Sequence, residues 1–254
     1  MSSDKRKRSY RIDMCSGPIV SRLLMFTGPL VASSVLQLLF NAADVVVVGK
    51  YAGDNSLAAV GSVVSLVNLL ISLFIGLSIG SNVLASRYHG SKDDEQLSKT
   101  VHTSMLVAVM GGIVLAVVGA IFTRQILIWM NAPDETLPLA CLYLRIYFIG
   151  MPASMVYNFG SAILRAVGDT RRPMYYLTAA GIVNVILNLV FVIVFHMDVA
   201  GVGLATAIAQ IISAVLVVRC LMSERGALKL VIRKLKIDRT TFFRIIRIGL
   251  PASF

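Results

Sequence analysis

The sequence predicts an all-α membrane protein: a six-transmembrane-helix bundle with a seventh helix begun. Three observations carry that prediction. First, 57% of the residues are hydrophobic against 15% charged, and the mean hydropathy is +0.80. A soluble domain of this length has no room to bury so much apolar side chain. Second, six apolar runs each reach the roughly 20 residues a helix needs to cross about 30 Å of hydrocarbon. Third, the basic residues gather on one side of those runs. With a cytoplasmic N-terminus, that side holds Lys5, Arg6, Lys7, Arg8, Arg11, Arg22, Arg87, Lys92, Lys99, Arg165, Arg171, Arg172 and everything from Arg219 to Arg247. Only Lys50, Arg124 and Arg145 fall elsewhere. This is the positive-inside pattern. It accounts for the net charge of +11 without nucleic acid and makes the lipid bilayer the partner, with basic segments near anionic headgroups.

The elements follow in order. Residues 1–18 form a basic cytoplasmic tail. The apolar run behind it, 21–48, is about twice the length of a signal-peptide core and contains Pro29, Gln37, Asn41 and Asp44, so it reads as a retained first helix. Asp44 is the one acid of thirteen inside a long apolar run. An isolated carboxylate there costs about 2.5–3.5 kcal/mol, and such acids face a bundle interior where they carry a proton, an ion or a substrate charge. Interhelical glue to a nearby Asn or Gln is the plainer alternative.

The second run, 57–86, includes Gly76-Leu77-Ser78-Ile79-Gly80. It fits G-x-S-x-G, but a nucleophile elbow needs a strand-to-helix turn. Mid-helix, Gly76 and Gly80 form a small-xxx-small packing face. The third run is 100–122. In the fourth, 136–164, Pro152 lies within the helix and Arg145 snorkels outward. The fifth and sixth are 173–195 and 202–221. Pro29 and Pro152 each remove a helix N–H and free the carbonyls of Met25 and Phe148, making them candidate hinges.

Four of these helices carry a polar stripe at spacings of three and four. They are Ser33, Gln37, Asn41 and Asp44; Ser154, Asn158, Ser161 and Arg165; Thr178, Gly181, Asn184 and Asn188; Gly203, Thr206, Gln210 and Ser213. In lipid such faces turn toward each other or toward a wet cavity. The amides of Asn184 and Asn188, the Thr206 hydroxyl and the Asp44 carboxylate suit a hard cation such as Na⁺, or a proton on Asp44. Gln37, Asn41 and Gln210 fit the cavity lining. Cys15, Cys141 and Cys220 are scattered and suggest neither a disulfide framework nor a metal site. His89, His102 and His196 each stand alone in connectors or at a helix entrance, where solvated surface is expected. No Walker, HExxH or dinucleotide motif occurs, so an enzyme or ATP-driven pump is not indicated and no cofactor is expected.

A basic cytoplasmic loop, 223–240, leads to residues 241–254, about 21 Å of helix rise. Arg244 seven before Pro251 echoes Arg22 seven before Pro29. That echo predicts the start of a second six-helix unit, the internal repeat many transporters use.

Ala58-Ala59-Val60-Gly61 leading to Ile75-Gly76-Leu77-Ser78-Ile79-Gly80-Ser81-Asn82 resembles the second helix of multidrug and toxic compound extrusion (MATE) transporters. Ile163-Leu164-Arg165-Ala166-Val167-Gly168-Asp169-Thr170-Arg171-Arg172-Pro173-Met174 resembles the family's loop between helices 4 and 5. Pro29 with Asp44, then Asn184 and Asn188, is similar to the prokaryotic DinF-type branch. The resemblance covers about residues 17–254. It implies an antiporter of two six-helix lobes in the cytoplasmic membrane of a prokaryote, taking in H⁺ or Na⁺ and exporting small organic cations. Residues 19–222 would be the N-terminal lobe. Its cation site would be Asp44, Asn158, Asn184, Asn188 and Thr206, with no metal beyond Na⁺ at Asp44. Some members carry a second acid where this sequence has Asn188. A lipid-linked oligosaccharide flippase of the same superfamily is the alternative within transport. Outside it stands a non-transporting fragment, or a half-transporter that works only with a second lobe.

Overall fold

The computed structural model describes residues 19–253, so the basic tail, Cys15 included, lies outside the described residues. Among the described residues seven α-helices follow one another: α1 (Ile19–Tyr51), α2 (Asp54–Gly90), α3 (Asp94–Trp129), α4 (Leu137–Ala166), α5 (Arg171–Leu189), α6 (Asp198–Ser223) and α7 (Arg239–Gly249). The first six are long and apolar enough to cross a membrane. This is a six-helix membrane bundle, helical because each backbone N–H in lipid must find its acceptor within its own segment.

Several helices outrun their apolar stretches because polar residues cap them. α3 begins at Asp94 rather than near residue 100. The Asp93 carboxylate accepts the Gln96 N–H at 3.1 Å, Asp94 and Glu95 occupy the first turn, and Lys99 bonds Glu95 at 2.7 Å. N-capping, the helix dipole and an i,i+4 pair all favour that start.

α4 is the central post, packing against α3, α6 and α2. Small residues permit the close fit. A Cβ at Gly112 would lie 2.5 Å from the Pro152 Cα, and one at Gly119 would run into the Phe148 ring. α1 is the peripheral helix: 11% of its apolar window is buried against 50% for α4 and α6, and it leans mainly on α5. Both α1 and α4 continue unbroken through Pro29 and Pro152.

The glycine face of α2 is a packing surface, and its occupant is α7. A Cβ at Gly80 would meet the Ile245 carbonyl oxygen, and one at Gly249 would lie 2.8 Å from the Leu77 Cα. Arg244 adds a 2.7 Å hydrogen bond to the Tyr88 hydroxyl.

One expectation is corrected here, the solvated setting of His102, and the 223–240 loop is the reason. Leu228 and Leu230 are buried, and the Leu230 N–H bonds to the Leu221 carbonyl at 3.0 Å. Burying those leucines draws the chain back over α3 and covers His102. His102 is therefore buried rather than solvated. Its Nδ1 lies 2.7 Å from the Ser98 carbonyl and its Nε2 accepts the Val231 N–H at 3.2 Å. His89, His196 and Arg145 are exposed.

Candidate functional site

An open cavity of about 550 Å³ lies among α1, α2, α4, α5 and α6. Many of its polar elements come from the stripes, among them Ser33, Gln37, Asn41 and Asp44 on α1, Ser154 and Asn158 on α4, Asn184 on α5, and Thr206 and Gln210 on α6.

Four residues join in one hydrogen-bonded chain across three helices. Asn188 donates its Nδ2 to Asp44 Oδ1, and the same nitrogen lies 3.4 Å from Asn184 Oδ1. Asn184 in turn donates to Thr206 Oγ1 at 3.3 Å. Asn184 and Asn188 share a face because they are four apart on α5. Asn188 is fully buried, and its Oδ1 has no hydrogen-bond partner among the described residues. Gly181 sets the approach of α1 to α5, since Phe40 occupies the space a Cβ would need. Directly after Asn188, the helix widens into a π-helical turn, Val190–Val194, closed by Phe195 N–H to Val190 O at 3.1 Å. π-turns recur at functional sites, and no residue pattern foretells this one.

Asn158 stands apart. Its Nδ2 donates to the Ser154 carbonyl at 2.9 Å, and it lies about 16 Å along α4 from Tyr147. It lines the cavity without touching Asp44. Gln37 and Asn41 are exposed on the open side, and Gln210 rests against Gly150 and Tyr147.

Tyr143 and Tyr147, absent from the sequence-derived set, line the same end of the cavity as Asp44. Their rings tilt against each other with centroids 6.2 Å apart. The i,i+4 spacing of two hydroxyl-bearing aromatics at membrane depth was the available signal. Among the lining residues Asp44 is the one carboxylate and Arg165 the one cation. The Asp44 end thus offers a negative charge and aromatic faces, with the unpartnered Asn188 Oδ1 buried behind the lining. That donor set accepts a proton or a small hard cation, and the rings can face an organic one.

Residues 29–190 match the sequence profile of MatE. The chain belongs to the MATE family. Similar MATE relatives include the probable multidrug resistance protein YoeA of Bacillus subtilis (strain 168), 33% identical over 94% of this chain and 53% of that protein. The multidrug export protein MepA of Staphylococcus aureus (strain bovine RF122 / ET3-1) is 23% identical over 92% and 52%. A crystal structure of MATE in the straight conformation superposes with a TM-score of 0.83 at 25% identity, covering 91% of this chain and 52% of that one. The chain spans about half the length of the MATE proteins it matches.

Proposed function

We propose that these six helices form one lobe, the N-terminal one, of a cation-coupled antiporter. It exports cationic, amphipathic organic compounds across the cytoplasmic membrane, with the N-terminus on the cytoplasmic side. The basic distribution supports that orientation, and the drug-resistance names of the relatives support the cargo. The observation that carries the reading is Asp44, the cavity's one carboxylate among the described residues, held by the neutral Asn188 amide rather than by a counter-charge.

A proton or Na⁺ on Asp44 removes its charge and with it the charge assistance of the Asn188 hydrogen bond. α1, the least buried helix, then repacks, with Pro29 as the bend. An organic cation arriving from the other side of the cycle takes the vacated negative charge. Moving such an equilibrium from 1:99 to 99:1 takes about 5.5 kcal/mol of differential affinity. Asn188 supplies an amide where a second carboxylate would strengthen Na⁺ binding, which favours the proton.

The test uses everted membrane vesicles carrying the protein and a fluorescent organic cation, driven by a pH gradient or a Na⁺ gradient. Asp44→Asn lowers gradient-driven exchange to that of protein-free vesicles. Exchange at the wild-type rate in that variant overturns the assignment.

A further inference from the structure

The cavity carries one other charge. Arg165, in the last turn of α4, lines it far from Asp44. From Tyr147 to Arg165 the helix rises about 27 Å. The guanidinium is partly buried, and neither a hydrogen bond nor an ion pair joins it to another residue among those described. Asp169, four residues on, and Glu224 are engaged with Arg172. Asp169 accepts Arg172 Nε and the Arg172 backbone N–H, and Glu224 accepts Arg172 Nη1 at 2.6 Å. A partly buried guanidinium with no protein acceptor keeps its N–H donors available to a ligand in the cavity. The C-terminal dipole of α4 favours the charge by at most about 1 kcal/mol. The last carbonyls there are also occupied: Leu164 O accepts Val167 and Asp169 N–H at 3.2 and 3.1 Å, and Arg165 O accepts Gly168 N–H at 3.0 Å.

The same end of the cavity holds a further unpaired hydroxyl. Thr170 lines the cavity, is 1% exposed, and its hydroxyl has no partner among the described residues. It occupies the N-cap of α5, where a threonine hydroxyl ordinarily accepts a backbone N–H, yet it makes no such bond. Ser161, one turn before Arg165, is likewise 1% exposed, and its hydroxyl faces that of Tyr157. The Tyr157 hydroxyl on the same face is spent on Pro173 O at 3.0 Å. The N-terminus of α5 adds its positive end to this group. Leading away from it, Val60, Val63, Val67, Ile71 and Ile75 line the cavity as an apolar strip on α2, about 22 Å from first to last.

We propose that this end of the cavity receives the oxyanion head of an amphiphile, a phosphate ester held by Arg165 and Thr170, with its alkyl chain along the α2 strip. Guanidinium and phosphate match in a two-pronged geometry that a lysine cannot reproduce. This goes beyond the organic-cation reading and does not rest on it. The cavity has two poles of opposite charge, and a phosphate-headed ligand needs nothing from Asp44.

The test is binding of radiolabelled dodecyl phosphate to the full chain in nanodiscs of neutral phosphatidylcholine. The wild-type protein binds it saturably, and Arg165→Gln weakens binding by about tenfold or more. Arg165→Lys falls between the two, and Thr170→Val weakens binding about threefold. Arg145→Gln, at an exposed cation outside the cavity lining, binds as the wild type does, and the assay uses no ion gradient, so the result stands or falls separately from coupled transport. Competition with inorganic phosphate separates the sources. Displacement at millimolar concentration supports a site for the free anion, and resistance supports one for a lipid head. Dodecyl phosphate affinity in Arg165→Gln within twofold of wild type overturns the proposal. So does an equal dependence on Arg165 when the probe is dodecyltrimethylammonium. Should Arg165→Gln fail to fold, unchanged affinity in both Arg165→Lys and Thr170→Val overturns it instead.

Discussion

Asp44 and Asp169 are two carboxylates held away from bulk water in opposite ways. Asp169 is fully buried where the chain leaves α4, and Arg172 meets it through both Nε and the backbone N–H. The same guanidinium reaches Glu224 at 2.6 Å and Cys220 Sγ at 3.1 Å, tying the start of α5 to the end of α6. Asp44 opens onto the cavity and is met by an asparagine amide, with two tyrosines nearby. A carboxylate with a permanent counter-charge is part of the frame. One held by neutral dipoles can gain and lose a cation without any ion pair being broken.

The sharpest way to break that contrast is to remove each charge in turn. Asp169→Asn leaves Arg172 and Glu224 to rearrange and costs on the order of 3 kcal/mol, as expected for breaking a buried pair. The midpoint of thermal unfolding in detergent falls accordingly. Asp44→Asn keeps a hydrogen-bonding partner for Asn188 and changes that midpoint little. Equal destabilisation by the two variants refutes the comparison.

Next comes the contact that brings Asp44 to Asn188. Gly181→Leu forces a side chain into the space of Phe40 and costs about 1–3 kcal/mol by overpacking. It separates α1 from α5 and so lowers gradient-driven exchange, while the Asp169–Arg172–Glu224 connection stays in place. Wild-type exchange in this variant removes the Asn188–Asp44 bond from the mechanism. Asn188→Asp sharpens the same point. It sets a second carboxylate beside the first, a donor set suited to a hard cation, and a Na⁺ gradient then drives exchange more strongly than it drives the wild type. The ratio of Na⁺-driven to pH-driven rates is the readout.

The smallest effect is expected at α7. Asp238 caps that helix, and hydrogen bonds from the Thr241 hydroxyl and then the Thr241 N–H hold its carboxyl below the usual carboxylate range. A depressed folded value contributes stability above the unfolded value, and that contribution is lost as pH falls through the folded one. Hydrogen-exchange protection of α7 therefore stays level down to about pH 4 and declines below it. Asp238→Ala loses about 1 kcal/mol of protection at neutral pH and flattens that acid limb.

Much of this was legible in the residues. Long apolar runs allow only helices in lipid, so the six spans could be read directly. Spacings of three and four placed Asn184, Asn188 and Thr206 on polar faces, and the isolation of Asp44 in an apolar run marked it. Helix ends were less legible where capping groups such as Asp93 extend a helix past its hydrophobic core. Asp169 was invisible for a related reason. In sequence it lies in a polar connector, and nothing local says that the connector folds inward.

The chain by itself determined the class, the number of spans and the residues able to hold charge within the membrane, because burial in lipid penalises every exception. Only the tertiary structure decided which of those residues meet. It brought Asn188 to Asp44 across two helices, left Asn158 on its own backbone carbonyl, seated α7 on the glycines of α2 and covered His102 with the α6–α7 connector. Those outcomes depend on how closely helix surfaces approach, at Gly181, Gly80 and Gly112, and helical periodicity carries no information about distance between helices.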